Sequence, residues 1–63
     1  MTLLTQREAA TLLRLSERTL ERGRISGLGP KFVRIGRSIR YRLADIEAYI
    51  ASRVVGSTSE ATP

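Results

Sequence analysis

Residues 11–24, TLLRLSERTLERGR, decide the fold, because one helix ends and another begins inside them. Ala9, Ala10, Leu12 and Leu13 cluster at helical spacing and leave Gln6, Arg7 and Thr11 toward water, a pattern that breaks at Arg14 and Leu15. Ser16 is a good N-cap. A second helix, SERTLERGR, is expected to end near Arg24, before ISGLGP, where two glycines and Pro30 rule out continuation. At about 100° per residue, Leu20 and Gly23 fall on one side of this helix, while Arg18 and Arg22 fall on the other, in line with Arg14. Glu17 and Glu21 flank that basic row.

Upstream, Thr5 followed by Glu8 matches a capping box, in which hydroxyl and carboxylate satisfy backbone donors at a helix start, so a first helix is expected over 6–13. Downstream, residues 31–43 alternate with the period of a strand: Val33, Ile35, Ile39 and Tyr41 are apolar, with Arg34, Arg40 and Arg42 between them. They read as a hairpin. With Gly36, Arg37 and Ser38 at its tip, Ile35 lies opposite Ile39, Val33 opposite Tyr41 and Arg34 opposite Arg40, and both strands put apolar residues on one face. A two-residue tip of Gly36 and Arg37 would set Val33 opposite Arg40 and mix the faces, so the longer tip is the expectation. Leu43, Ile46, Tyr49, Ile50 and Val54 then recur at helical spacing, with Asp45 and Glu47 in the first turn, where the helix dipole favours anions, and Arg53 in the last. A third helix is expected over 44–54. The architecture predicted is α+β and mostly helical, three helices plus a two-stranded β-hairpin in one domain over residues 1–55. A small, polar tail over 56–63 is expected to be disordered.

The 63 residues carry 11 Lys plus Arg against 6 Asp plus Glu, a net charge of +5 and a pI near 11.1. Residues 7–42 hold ten basic and three acidic groups, whereas the remainder sets Arg53 against Asp45, Glu47 and Glu60. Such local basicity describes a face for a polyanion and not a generally solubilising surface. Without cysteine or histidine there is no disulfide framework and no thiolate or imidazole ligand, and a nucleophilic serine would have only Lys31 or a carboxylate as its base. No catalytic residue, metal or cofactor is expected, and the chain is read as a non-enzyme. Glu17 with Glu21 read as solvated flanking charges, and Asp45 with Glu47 as a match to the helix dipole. Apolar runs fall far short of the roughly 18 residues of a membrane span, and the start lacks a secretory apolar region. A soluble, cytoplasmic protein is expected.

Two helices joined by a tight turn match the geometry in which a recognition helix enters a DNA major groove by its N-terminal half. There Arg18 and Arg22 can each donate two hydrogen bonds to guanine, and Thr19 can touch a thymine methyl. Glu17 either accepts from cytosine or repels phosphate in the wrong register. In the hairpin, Arg37 at the tip is best placed to project into a narrow minor groove or onto its flanking phosphates. Arg34 opposite Arg40 is a like-charge pair, costing roughly 0.2–1 kcal/mol, that a nearby phosphate would relieve. Thr5, Gln6 and Arg7 open the first helix, whose unpaired amides suit an anion, and Arg14 extends from the turn toward another phosphate. Tyr41, Phe32 and Tyr49 are read as core, and these three aromatics without an exposed pair make no stacking platform for single strands.

The runs LLTQREAATLLRLSERTLERGR and GPKFVRIGRSIRYRLADIEAYIASR resemble the excisionase-type, MerR-like winged helix-turn-helix proteins, which include small AlpA-type phage regulators and recombination directionality factors. The resemblance spans residues 3–53. It implies a winged helix-turn-helix fold, with the second helix in a major groove of double-stranded DNA and the wing on the adjacent minor groove or backbone. By position, Ser16, Arg18, Thr19 and Arg22 correspond to the family's recognition helix, and Arg37, Ser38 and Arg40 fall on its wing. It also implies transcription regulation or DNA recombination in a prophage or similar element, an integrase or recombinase as partner, and cooperative binding of further copies on DNA. Members commonly carry Trp where this sequence has Gly23, so either the second helix ends by Arg22, or Leu28 or Phe32 fills the gap, or the fold is loosened. They frequently place a small residue where Arg14 stands. The competing reading is a protein-interaction module that turns the same basic faces to an acidic surface of integrase or polymerase.

Overall fold

Thr5 and Glu8 cap each other: the Glu8 amide donates to Thr5 Oγ1 at 3.1 Å, and Glu8 Oε1 accepts from the Thr5 amide at 2.8 Å. From this box helix α1 runs over Gln6–Leu13 in the computed structural model, which describes residues 2–56. It closes in a Schellman arrangement. Arg14 turns left-handed at φ 56° and donates to Thr11 O at 3.2 Å, and the Leu15 amide reaches Ala10 O at 2.9 Å. A side chain in that conformation costs on the order of 1 kcal/mol, so those two bonds hold the turn against strain. Ser16 Oγ then accepts the Thr19 amide at 3.1 Å and opens helix α2, Glu17–Ser26.

Helix α2 runs past its expected end near Arg24 through Ile25 and Ser26, because Gly27 supplies the left-handed stop, at φ 77°, with its amide on Gly23 O at 2.9 Å. The chain then folds back over the helix. The Gly29 amide also reaches Gly23 O, at 3.3 Å, and a Cβ built on Gly23 would stand 2.9 Å from Gly29 Cα. The helix therefore does not end at Arg22, and neither Leu28, 73% exposed, nor Phe32, 36% exposed, fills the place beside Gly23. Backbone fills it.

The hairpin strands are β2, Val33–Ile35, and β3, Ser38–Arg42, and a further strand β1, Leu3–Thr5, makes the sheet three-stranded in the order β1-β3-β2. Both pairings are antiparallel. Leu4 lies opposite Tyr41 in one, and Val33 opposite Arg40, Arg34 opposite Ile39 and Ile35 opposite Ser38 in the other. The three-residue tip is thus corrected to a two-residue turn of Gly36 and Arg37, and Arg34 does not oppose Arg40. The like-charge pair disappears with it. Gly36 has φ 59° while Arg37 is not left-handed, the sign pattern of a type II′ turn with glycine first. The mixed faces are tolerated because β2 is an edge strand: Arg34 and Ile35 are both exposed, so burial does not set its register.

Helix α3 follows β3 without a loop, over Leu43–Ser52 and not 44–54. Arg42, the residue before it, closes a two-pronged ion pair on Asp45, Nε to Oδ2 at 2.6 Å and Nη2 to Oδ1 at 2.8 Å. The core draws on both ends of the chain: Ala9 and Ala10 of α1, Leu20 of α2, Tyr41 of β3 and Ile46 of α3 are buried, with Leu4, Leu13 and Ile39 packed on them. Leu12, Ile35, Ile50 and Val54 are exposed, although their spacing places them inward. No helix of the described residues is long and apolar enough to cross a membrane. The tail expected over 56–63 lies, Gly56 apart, outside the described residues.

Candidate nucleic-acid interface

The surface of α2 that faces away from Leu20 carries Arg18 and Arg22. Both are exposed and have no side-chain hydrogen bond or ion pair among the described residues. Ser16 and Thr19 stand at the head of the same helix, both exposed, with their hydroxyls 2.8 Å apart. Arg14 precedes them, exposed in the left-handed turn. Glu17 is less independent than its exposure suggests, because its Oε1 accepts from Gln6 Nε2 at 3.1 Å.

The extra turn of α2 adds a residue that sequence reasoning missed. Ile25 is 89% exposed, and at about 100° per residue it falls roughly 20° from Arg18, on the side away from Arg22. The outward face is therefore two cations with one bare apolar side chain beside them, a combination able to meet both a base edge and a methyl group. The signal was Gly27: a helix stopped by it, and not by the end of the charged run, includes Ile25.

On the wing, Arg37 sits in the two-residue turn, with Arg34 and Ser38 beside it, and all three are exposed. Arg34 and Arg37 have no side-chain partner among the described residues. Arg40 behaves differently. It is half-buried, donates to Ile39 O at 2.8 Å, and lies opposite Thr5 across the β1–β3 pairing, close enough to Glu8 for its charge to help hold that carboxyl below the usual range. The larger causes of that lowering are the hydrogen bonds from the Thr5 backbone and then its side chain. Arg42, the fourth arginine of the hairpin, is committed to Asp45, whose carboxyl it holds down chiefly by hydrogen bonding.

At the start of α1 the three residues separate. Thr5 is the cap, Gln6 spends both ends of its amide on Glu17 and Arg24, and Arg7 is exposed with its side chain unpartnered among the described residues. The structure therefore leaves two cationic projections, the outward face of α2 and the turn end of the wing, with Arg7 and Arg14 as outlying charges. Among the described residues no cluster of carboxylates could hold a metal ion. A groove of about 480 Å³ lies between β1, α1 and the start of α3, lined by Leu4, Leu12 and Leu43 with Arg7, Glu8 and Thr11. It is shallow, apolar and away from both projections.

A family model described as a helix-turn-helix domain matches residues 3–54, from the first strand to just past the last helix. No curated protein matches the chain.

Proposed function

Since the chain belongs to the helix-turn-helix domain family, a family of DNA-binding domains, we propose that it is a sequence-specific double-stranded DNA-binding protein of a mobile element. It acts as an excisionase, a recombination directionality factor, or as a small AlpA-type, MerR-like transcriptional regulator, by binding and not by catalysis. In this reading residues 1–55 form the working unit in the cytoplasm, α2 enters a major groove through Ser16, Glu17, Arg18, Thr19 and Arg22, and the wing lies on the neighbouring minor groove through Arg34, Arg37, Ser38 and Arg40. Thr5, Gln6, Arg7 and Arg14 border the phosphates, Gln6 through its backbone. One observation carries this reading: Arg18 and Arg22 on one element and Arg34 and Arg37 on another are all exposed and without a side-chain partner among the described residues, whereas the other hairpin arginines are neutralised or turned aside. A module of this size covers about 600–1,000 Å² of DNA, which favours several copies side by side or a recombinase as co-binder.

Enrichment of a random duplex pool on the protein supplies a preferred site, and affinities for that site and for random duplex then test the roles. Arg37→Ala should weaken both duplexes alike, whereas Arg18→Ala and Arg22→Ala should shrink the gap between them, each bidentate base contact being worth about 1–3 kcal/mol of discrimination. Equal losses on both duplexes from every substitution would reject the recognition role of α2. Retention of an acidic partner protein with no retention of any duplex would favour the interaction module.

A further inference from the structure

Arg24 belongs to the basic run of α2 but does not point where Arg18 and Arg22 point. It is half-buried, and its Nη1 donates to Gln6 Oε1 and, at 3.0 Å, to the hydroxyl of Tyr41. The guanidinium also lies 5.9 Å from the centre of the Phe32 ring, and that ring is tilted against Tyr41 at 6.5 Å. Gln6 completes the arrangement by donating to Glu17, so the first and last turns of α2 are both tied to the first residue of α1. Tyr41 is fully buried in the central strand of the sheet. Among the described residues its bond with Arg24 is the only side-chain hydrogen bond between α2 and the sheet.

We propose that Arg24 is a positioning residue that sets the angle between the recognition helix and the wing, through Gln6 on one side and Tyr41 with Phe32 on the other, without touching DNA itself. The inference rests on the DNA-binding reading and adds a mechanical requirement to it. Helix α2 packs chiefly on α1, while the wing belongs to the sheet, so the two cationic projections sit on different elements. A duplex holds its grooves at a fixed spacing. Two contacts gain from each other only when their separation is preset, since otherwise binding must order them at its own cost. A charged hydrogen bond to a fully buried hydroxyl, shared with an amide that grips the far end of the same helix, is a stiff way to preset it.

The test compares full-length wild type, Arg24→Met, which keeps an apolar stem without the charge, and Tyr41→Phe, which removes only the hydroxyl. Each is measured on the enriched site and on random duplex across a salt series, with circular dichroism to confirm folding. Both variants should lose about tenfold or more on the enriched site, the worth of one charged hydrogen bond, with a smaller loss on random duplex, where α2 has no base contacts to align, and the salt slope unchanged. Adding Arg37→Ala to either variant should then cost less than it costs in wild type, because the wing no longer reinforces the helix. Arg24 as an ordinary phosphate ligand would behave otherwise: the slope would fall by about 0.9, both duplexes would suffer equally, and its effect would add to that of Arg37→Ala. That pattern, or wild-type binding by Tyr41→Phe, overturns the proposal. If Arg24→Met does not fold, Tyr41→Phe decides alone. If wild type itself retains no duplex, the DNA-binding reading fails first, and amide spectra separate the two failures: Tyr41→Phe should shift the resonances of Arg18 and Arg22, and unmoved resonances would end the brace as well.

Discussion

At Gly23 the backbone of α2 lies against that of Gly29, and the absence of a side chain is what allows it. Glycine inside a helix costs about 0.5–1 kcal/mol relative to Ala, so Gly23→Ala gains that much in propensity. The new Cβ would stand 2.9 Å from Gly29 Cα, against backbone and not the yielding end of a side chain. Overpacking of this kind costs about 1–3 kcal/mol and outweighs the gain. Urea unfolding should show Gly23→Ala less stable by about 1 kcal/mol, and a variant more stable than wild type would mean that the return loop is free to lift. The same residue shows the limit of sequence reading at this scale. Its place on the inward side of α2 follows from periodicity, but the object packed there is a backbone six residues further on, which leaves no pattern in side-chain chemistry.

Among the elements, those whose ends are set locally were the most legible. Thr5 with Glu8, and Ser16 before α2, are caps readable within four residues, and both form as the sequence predicts. Strand β1 was invisible because three residues are too few for a period, and the partner of Leu3 lies 39 positions away at Arg42. The hairpin register failed for another reason: alternation argues register only where a face is buried, and β2 has none that is. Caps also make the stability pH-dependent. Glu8 is held below its ordinary 4.5 by its hydrogen bonds from Thr5, and Asp45 below its ordinary 3.8 by its hydrogen bonds from Arg42. Carboxyls depressed in the fold bind protons more readily in the unfolded chain, so their contribution is complete above the unfolded values and is lost as the pH falls through the folded ones. Thermal midpoints should therefore drop on acidification from about pH 5 to about pH 2. The pair Glu8→Gln with Asp45→Asn should start lower at neutral pH and follow a flatter acid limb; parallel limbs would remove the capping account.

For the whole molecule, net charge says less than the distribution of partners. Of the ten basic groups within residues 7–42, the fold turns Arg24, Arg40 and Arg42 inward or into an ion pair, leaving seven with no side-chain hydrogen bond or ion pair among the described residues. At about 0.9 per phosphate neutralised, seven cations bound the salt dependence of DNA binding at a slope of about −6 per protein bound. Affinity measured across a salt series should lie below that bound in magnitude and fall by about 0.9 in Arg37→Ala. A flat dependence would show that phosphates are not the partner.

The sequence by itself determined the three helices, the hairpin and the sign of the surface, because caps, glycine stops and local charge act over a few residues and need nothing distant to take effect. Only the tertiary structure decided which arginines remain available, because a guanidinium is long and its partner is chosen by what the fold brings within reach: Tyr41 for Arg24, Asp45 for Arg42, a strand carbonyl for Arg40. Four of the five arginines at the outward faces and turns of α2 and the wing could be placed from local sequence, Arg18 and Arg22 by helical period and Arg14 and Arg37 by their turns, while Arg34 kept its exposure but lost the opposing arginine that first singled it out.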